Sequence, residues 1–307
     1  MLTRRGLLAG AGGAALASSR PWAAQRALVP LWPDAPPGGG GPTGPVARGR
    51  GGGITNIANP YLEVFAPSYS NGIGVVIAGG GGYRSIQVEW EAYAPAAWLN
   101  ARGITAFVLA YRLPGEGWTA GPHAPLQDAQ RSVRMIRSRA AAYKIHPARI
   151  GVLGFSAGGH LCAMASARSA FRSYTPLDAV DELSARPDFT ALAYPVITLE
   201  RPYDNTSTRR VLIGENPTPE KTREWSVQTH VGRDCAPVFL VETANDPIAH
   251  PINGHIMRIA CEAAGVPVEF HELPAGGHGF GMGFPGTPTA GWPDLLDRWL
   301  KKGAGKA

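Results

Sequence analysis

The chain has 307 residues, 44% of them hydrophobic and 17% charged, which is enough for one large α/β domain with its own core. Its formal net charge is +6, but the basic residues are scattered without a Lys/Arg block, so the charge reads as solubility and excludes a nucleic-acid footprint. Cys162, Cys235 and Cys261 cannot all pair and have no CxxC spacing, so no redox or zinc motif is expected and buried free thiols are.

Residues 1–24 are predicted to be an export signal. Thr3-Arg4-Arg5-Gly6-Leu7-Leu8 resembles a twin-arginine signal, residues 6–17 are apolar and too short to span a bilayer, and Ala23-Ala24 or Ala17 offers a cleavage site. This predicts a protein exported to the periplasm or beyond the cell, with no membrane association after cleavage. Residues 25–53 are rich in Pro and Gly and are expected to form a flexible or surface-draped leader.

The main domain is expected over 54–307. Residues 61–65 alternate as a strand, and 74–78 (Gly-Val-Val-Ile-Ala) form a fully apolar one followed by Gly79-Gly-Gly-Gly82. A helix with Trp90, Tyr93, Ala97 and Ala101 on one side ends at Gly103, with Pro95 starting or kinking it. The next strand is 104–110. Strand, helix, strand at this spacing predicts a parallel sheet.

Residues 125–144 carry the clearest helical period: Leu126, Ala129, Val133, Ile136, Ala140 and Tyr143. Pro125 suits its first position and Asp128 its positive first turn. At about 100° per residue Arg131 and Arg134 point to solvent, whereas Arg137 falls inside the apolar edge and is expected to find a carboxylate or carbonyls at the sheet edge, or to snorkel to water.

Next comes the sequence Gly151-Val-Leu-Gly-Phe-Ser156-Ala-Gly158-Gly-His160. It reads as a short strand, a sharp corner at Ser156 and a helix carrying Leu161, Cys162 and Ala163. Such a corner strains its central residue, lifts the hydroxyl off the sheet and aims helix N–H groups at it. The stretch resembles the nucleophile elbow of the α/β-hydrolase superfamily. Beyond it, strands are expected over 189–194, 238–243 and 268–273 and helices over 253–264 and 292–300. Residues 198–236 lack a period and read as a cap or lid.

A serine needs a base and a group that orients the base. His278 follows the last core strand in a Gly-rich loop and is the candidate base. His160 lies on another side of the corner and His271 is inside a strand, while His230, His250 and His255 stay open by position. Asp246, on the loop after 238–243, is the candidate acid, ahead of Asp188, Asp234 and Glu242. N–H groups of Gly81, Gly82 and Ala157 are the candidate oxyanion donors.

Over residues 54–300 the chain resembles bacterial acetyl-xylan-esterase-like α/β hydrolases, including feruloyl/acetyl xylan esterases. The matching residues are Gly79-Gly-Gly-Gly-Tyr83, Pro125-Leu-Gln-Asp-Ala-Gln-Arg131, Gly154-Phe-Ser-Ala-Gly-Gly-His160, Arg186-Pro-Asp-Phe189 with Tyr194-Pro195, and Gly277-His-Gly-Phe-Gly281. The resemblance implies an α/β-hydrolase fold, mostly parallel with helices on both faces. It also implies hydrolysis of acyl esters on carbohydrates such as xylan, with Ser156, Asp246 and His278 in the triad positions and no metal or organic cofactor. The acid loop departs from the usual Asp-x-x-Val-Pro, reading Asp246-Pro-Ile-Ala-His250, although Asn253 still matches. A serine peptidase of related fold and a non-catalytic carbohydrate-binding protein are the alternative readings.

Overall fold

The computed structural model describes residues 27–303. The export signal expected over 1–24 lies outside the described residues. The strands are β1 (Ala27–Pro30), β2 (Ala47–Arg48), β3 (Gly53–Thr55), β4 (Tyr61–Phe65), β5 (Gly74–Ala78), β6 (Ile86–Gln87), β7 (Thr105–Ala110), β8 (Ile150–Phe155), β9 (Phe189–Ala193), β10 (Val238–Thr243) and β11 (Val268–Leu273). The α-helices are α1 (Ala94–Asn100), α2 (His123–Ser138), α3 (Ser156–Ala167), α4 (Ser207–Ile213), α5 (Pro219–Trp225), α6 (Ile252–Ala264) and α7 (Trp292–Lys302).

Eight strands form one sheet in the order β1-β4-β7-β5-β8-β9-β10-β11, and β2, β3 and β6 form a small second one. The β1–β4 and β4–β7 pairs are antiparallel, and all pairs from β7 to β11 are parallel. Every residue of β5, β7, β8, β9 and β10 is buried. That burial on both faces is why these strands read as unbroken apolar runs. The parallel direction sends Ser156 and the loops after β5, β10 and β11 out at one edge, the carboxyl ends of the strands, where α/β sheets place their sites. Cys162, Cys235 and Cys261 are free and buried. No helix among the described residues is long and apolar enough to cross a membrane.

Several expectations need correction. Of the two forms expected for the Pro/Gly-rich leader, the flexible one does not hold: residues 27–53 are ordered and mostly draped over the surface, with β1 paired to β4 and Leu31 and Trp32 buried. Trp32 Nε1 donates to Asp128 Oδ1 at 2.8 Å, and Leu31 and Pro37 carbonyls accept from Arg131 and Arg112. Composition averages over the segment, whereas two large side chains with a matching groove decide its order. Regular α2 begins at His123, with Pro125 in the third position, and stops at Ser138. A looser turn continues to Lys144, where Ile145 N bonds to Ala140 O and Lys144 N to Ala141 O, a Schellman end with Lys144 at φ 54°. Pro95 starts regular α1 after a π-helical turn over Glu89–Tyr93. Helix α3 begins at Ser156, five residues ahead of Leu161.

Arg131 does not face solvent. It is buried and pairs with Asp178 at 2.6 Å and Asp181 at 2.9 Å. Arg134 is half-buried and donates to Leu183 O and Tyr174 Oη. A helical wheel sees one helix only, and here the segment after α3 covers the face that the wheel leaves open. Arg137 does pair at the sheet edge, with Asp188 at 3.1 Å and with the carbonyls of Pro147, Ser184 and Arg186. Arg137→Met strands these acceptors. It is expected to lower stability by about 2 kcal/mol, read as a lower chemical-denaturation midpoint; an unchanged midpoint refutes it.

Candidate active site

Strand β8 turns into α3 at Ser156, which sits at φ 51° in the left-handed region rarely adopted by residues with a Cβ. The corner is possible because its flanks are bare. A Cβ on Gly154 would lie 2.3 Å from Gly158 O, and one on Gly158 would lie 2.1 Å from Ala78 O. Ala157 lies in the first turn of α3, where N–H groups lack intrahelical acceptors.

The loops after β10 and β11 reach the same corner. His278 Nε2 is 2.8 Å from Ser156 Oγ, and His278 Nδ1 is 2.6 Å from Asp246 Oδ2. The Asp246 carboxylate is buried, and its Oδ1 accepts from Ile248 N at 2.8 Å and Ala249 N at 2.9 Å. Of the two residues that depart from the usual pattern of this loop, Ala249 donates its main-chain N–H to Asp246, a bond that does not depend on its side chain. Asn245 Oδ1 accepts from Gly276 N and Gly277 N, and Thr243 Oγ1 donates to Gly277 O, which ties the two loops together. Asn253 Oδ1 accepts from Ile197 N and Thr198 N, fixing the chain beyond β9.

The other candidates are engaged elsewhere. His160 is fully buried, accepts from Tyr83 Oη and donates to Trp225 O; burial pushes its pKa down to about 4, so it is neutral. His230 pairs with Glu224 O, His250 accepts from Ile252 N, His255 meets Glu272 and His271 meets Glu269. Asp188 holds Arg137 and Ile150 N, and the Asp234 carbonyl holds Arg186. Glu242 is buried beneath α6, and burial pushes its carboxyl up to about 9.

The glycine loop after β5 presses on the serine: a Cβ on Gly80 would lie 2.7 Å from Ser156 Cβ. Gly81 and Gly82 have φ of 112° and 62°, and among the described residues no acceptor is seen for either N–H. Gly82 packs against Ser207 at the start of α4. Residues 198–236 thus carry helices α4 and α5, capped by Thr206 and Thr218, where no period was visible.

Two buried residues that sequence reasoning missed hold this arrangement. Glu91 Oε2 accepts from Gly80 N at 2.7 Å, and its Oε1 accepts from Tyr194 Oη at 2.9 Å. Tyr194 Oη in turn accepts from Gly281 N at 3.0 Å, and its ring meets that of His278 edge-on at 4.9 Å. Burial pushes the Glu91 carboxyl up, and the Gly80 and Tyr194 hydrogen bonds pull it back. The only signal for Glu91 was an acidic residue in a helical stretch shortly after a glycine run, and Glu89 carries the same signal without the role.

A family model described as BD-FAE matches residues 62–258. An acetylxylan esterase of Xylanibacter ruminicola is 31% identical over 234 residues, 75% of this chain and 45% of that protein. A protein named endo-1,4-beta-xylanase B from Butyrivibrio fibrisolvens is 34% identical over 206 residues, 67% of this chain and 32% of that one. The chain thus spans less than half the length of these curated relatives. The crystal structure of an acetyl ester-xyloside bifunctional hydrolase from Caldicellulosiruptor lactoaceticus superposes with a TM-score of 0.75 at 32% identity, covering 90% of this chain and 96% of that one. With the fold and the matched span together, the chain belongs to the BD-FAE family and has the α/β-hydrolase fold.

Proposed function

We propose that the protein is a serine carboxylic-ester hydrolase that removes acetyl or related acyl groups from carbohydrates such as xylan. The observation that carries this reading is the chain of hydrogen bonds from Ser156 Oγ through His278 to Asp246. Ser156 Oγ attacks the ester carbonyl and His278 Nε2 takes its proton. Asp246 fixes the tautomer that leaves Nε2 free to accept. The developing oxyanion meets the N–H groups of Gly81, Gly82 and Ala157. His278 then protonates the departing sugar oxygen, and a water activated by His278 hydrolyses the acyl-enzyme. No step requires a metal or an organic cofactor. The carbohydrate side rests on the acetylxylan esterase and acetyl ester-xyloside hydrolase relatives. Glycoside cleavage is not part of the proposal, because Asp246 and Glu91 are both committed to hydrogen bonds and form no free acid/base pair.

Turnover of p-nitrophenyl acetate, with a serine-directed phosphonate adding to Ser156 by peptide mass spectrometry, tests the chemistry. Absence of both leaves the carbohydrate-binding reading, and preferential cleavage of peptide amides points to the peptidase. Acetylated xylan compared with feruloylated oligosaccharides then sets the acyl group. Export is proposed from the Arg4-Arg5 segment; replacing both with Lys should keep the protein inside the cell.

Residues 198–236 are proposed as the cap that shapes the substrate groove, supported by the Gly82–Ser207 contact. Trp90 is 67% exposed beside Glu91, and its carbonyl lies against Gly281. An exposed ring here offers a flat apolar face to a sugar. Trp90→Ala is expected to raise KM for acetylated xylan about fivefold, near 1 kcal/mol, while kcat on p-nitrophenyl acetate stays unchanged. An equal loss on both substrates sinks the idea.

A further inference from the structure

We propose that Glu242, His255 and Glu272 form a divalent-cation site between the sheet and α6. Three separate elements bring these residues together. Glu242 and Glu272 are direct partners in the parallel β10–β11 ladder. His255 lies in the first turn of α6, and its ring packs edge-on against Phe270, two residues before Glu272 on the same strand face. One ligand atom from each of the three lies within 4.8 Å of the others.

The arrangement is unsatisfied without a further partner. Glu242 is 1% exposed; its Oε2 accepts from Gly254 N at 3.0 Å, but its Oε1 has no hydrogen-bond partner. A buried carboxyl oxygen without a partner is costly whether the group is ionised or protonated. His255 cannot supply the bond, because its Nε2 is already 2.6 Å from Glu272 Oε2. When Glu242 is ionised, it and Glu272 also repel across the ladder. A cation at their junction takes one oxygen from each carboxylate and the imidazole nitrogen, and it balances both charges.

One imidazole and two carboxylates without a thiolate suit Zn²⁺ or Mn²⁺ rather than a soft ion. Metal–ligand distances of about 2.0–2.2 Å need only small side-chain shifts. The His255 and Glu272 side chains are 38% and 36% exposed and make them by exchanging their mutual hydrogen bond for the cation. The site spans the end of β10 and the start of α6, the two ends of the loop that carries Asp246. It uses none of the triad, so it stands or falls apart from the esterase reading.

Calorimetric titration of the full-length, EDTA-treated protein with ZnCl₂ and with MnCl₂, alongside thermal melts, decides it. The expected result is saturable binding of about one equivalent of at least one of the two ions, with a rise in Tm. Both are lost in His255→Ala and in Glu272→Gln, and both are kept in His278→Ala, which dismantles the His–carboxylate pair next to Ser156. Two exposed positions are tested so that a misfolded variant at one leaves the other informative, with circular dichroism checking each fold. No saturable binding by the unmutated protein, or binding that survives both variants, overturns the proposal. So does binding lost only in His278→Ala.

Discussion

Asp246→Asn is expected to lower kcat by about 10⁴ while leaving the fold intact. The carboxylate accepts three hydrogen bonds: Oδ1 from Ile248 N and Ala249 N, and Oδ2 from His278 Nδ1. An asparagine can keep its carbonyl on the two main-chain donors, so the loop holds. Its NH₂ then faces His278 Nδ1, which must become an acceptor. The ring proton moves to Nε2, 2.8 Å from Ser156 Oγ, and a protonated Nε2 cannot take the serine proton. Steady-state rates with p-nitrophenyl acetate, paired with thermal melts, separate lost chemistry from lost structure. A fall in kcat of under tenfold would move the orienting role to another carboxylate.

Asp128→Ala is expected to cost about 3–5 kcal/mol of stability, because it leaves a charge buried without its partner. Asp128 and Arg112 side chains are both 0% exposed and 3.0 Å apart. Asp128 also accepts from Arg112 N and from Trp32 Nε1, while Arg112 donates to Gln127 Oε1, Ala124 O and Pro37 O. Burial pushes the Asp128 carboxyl up, and Arg112 and Trp32 pull it back. Removing the carboxylate leaves the guanidinium without its counter-charge and orphans the Arg112 N–H and the indole N–H at once. Urea unfolding measures the loss; under about 1 kcal/mol would mean that water or rearranged carbonyls compensate.

The sheet was legible because parallel strands buried on both faces must be written as apolar runs, as in Val75-Val-Ile77 and Phe239-Leu-Val241. Ser156, His278 and Asp246 were legible as candidates because fold geometry assigns such groups to fixed loops. Glu91 and Tyr194 were not, since their partners, Gly80 and Gly281, lie on loops whose approach no local pattern encodes. Arg131 failed for a related reason: Asp178 and Asp181 are more than 40 residues away in sequence and beyond any helical wheel. The anchoring of the segment over 27–53 was not legible because Trp32 finds its acceptor 96 residues later.

That last separation bears on how the chain acquires its shape. Strand β1 is synthesised well before α2, yet its neighbours Trp32 and Leu31 demand Asp128 and Arg131, the latter reached across 100 residues from Leu31. Closing so long a loop is slow compared with forming a helix or a hairpin. Until Trp32 and Leu31 are tied down, the β4 edge is covered among the described residues by the four-residue β1 alone, and its detachment frees main-chain groups to pair with any passing strand. The N-terminal stretch is therefore a late-arriving seal, and the window before it closes is when the nascent protein is most exposed to aggregation.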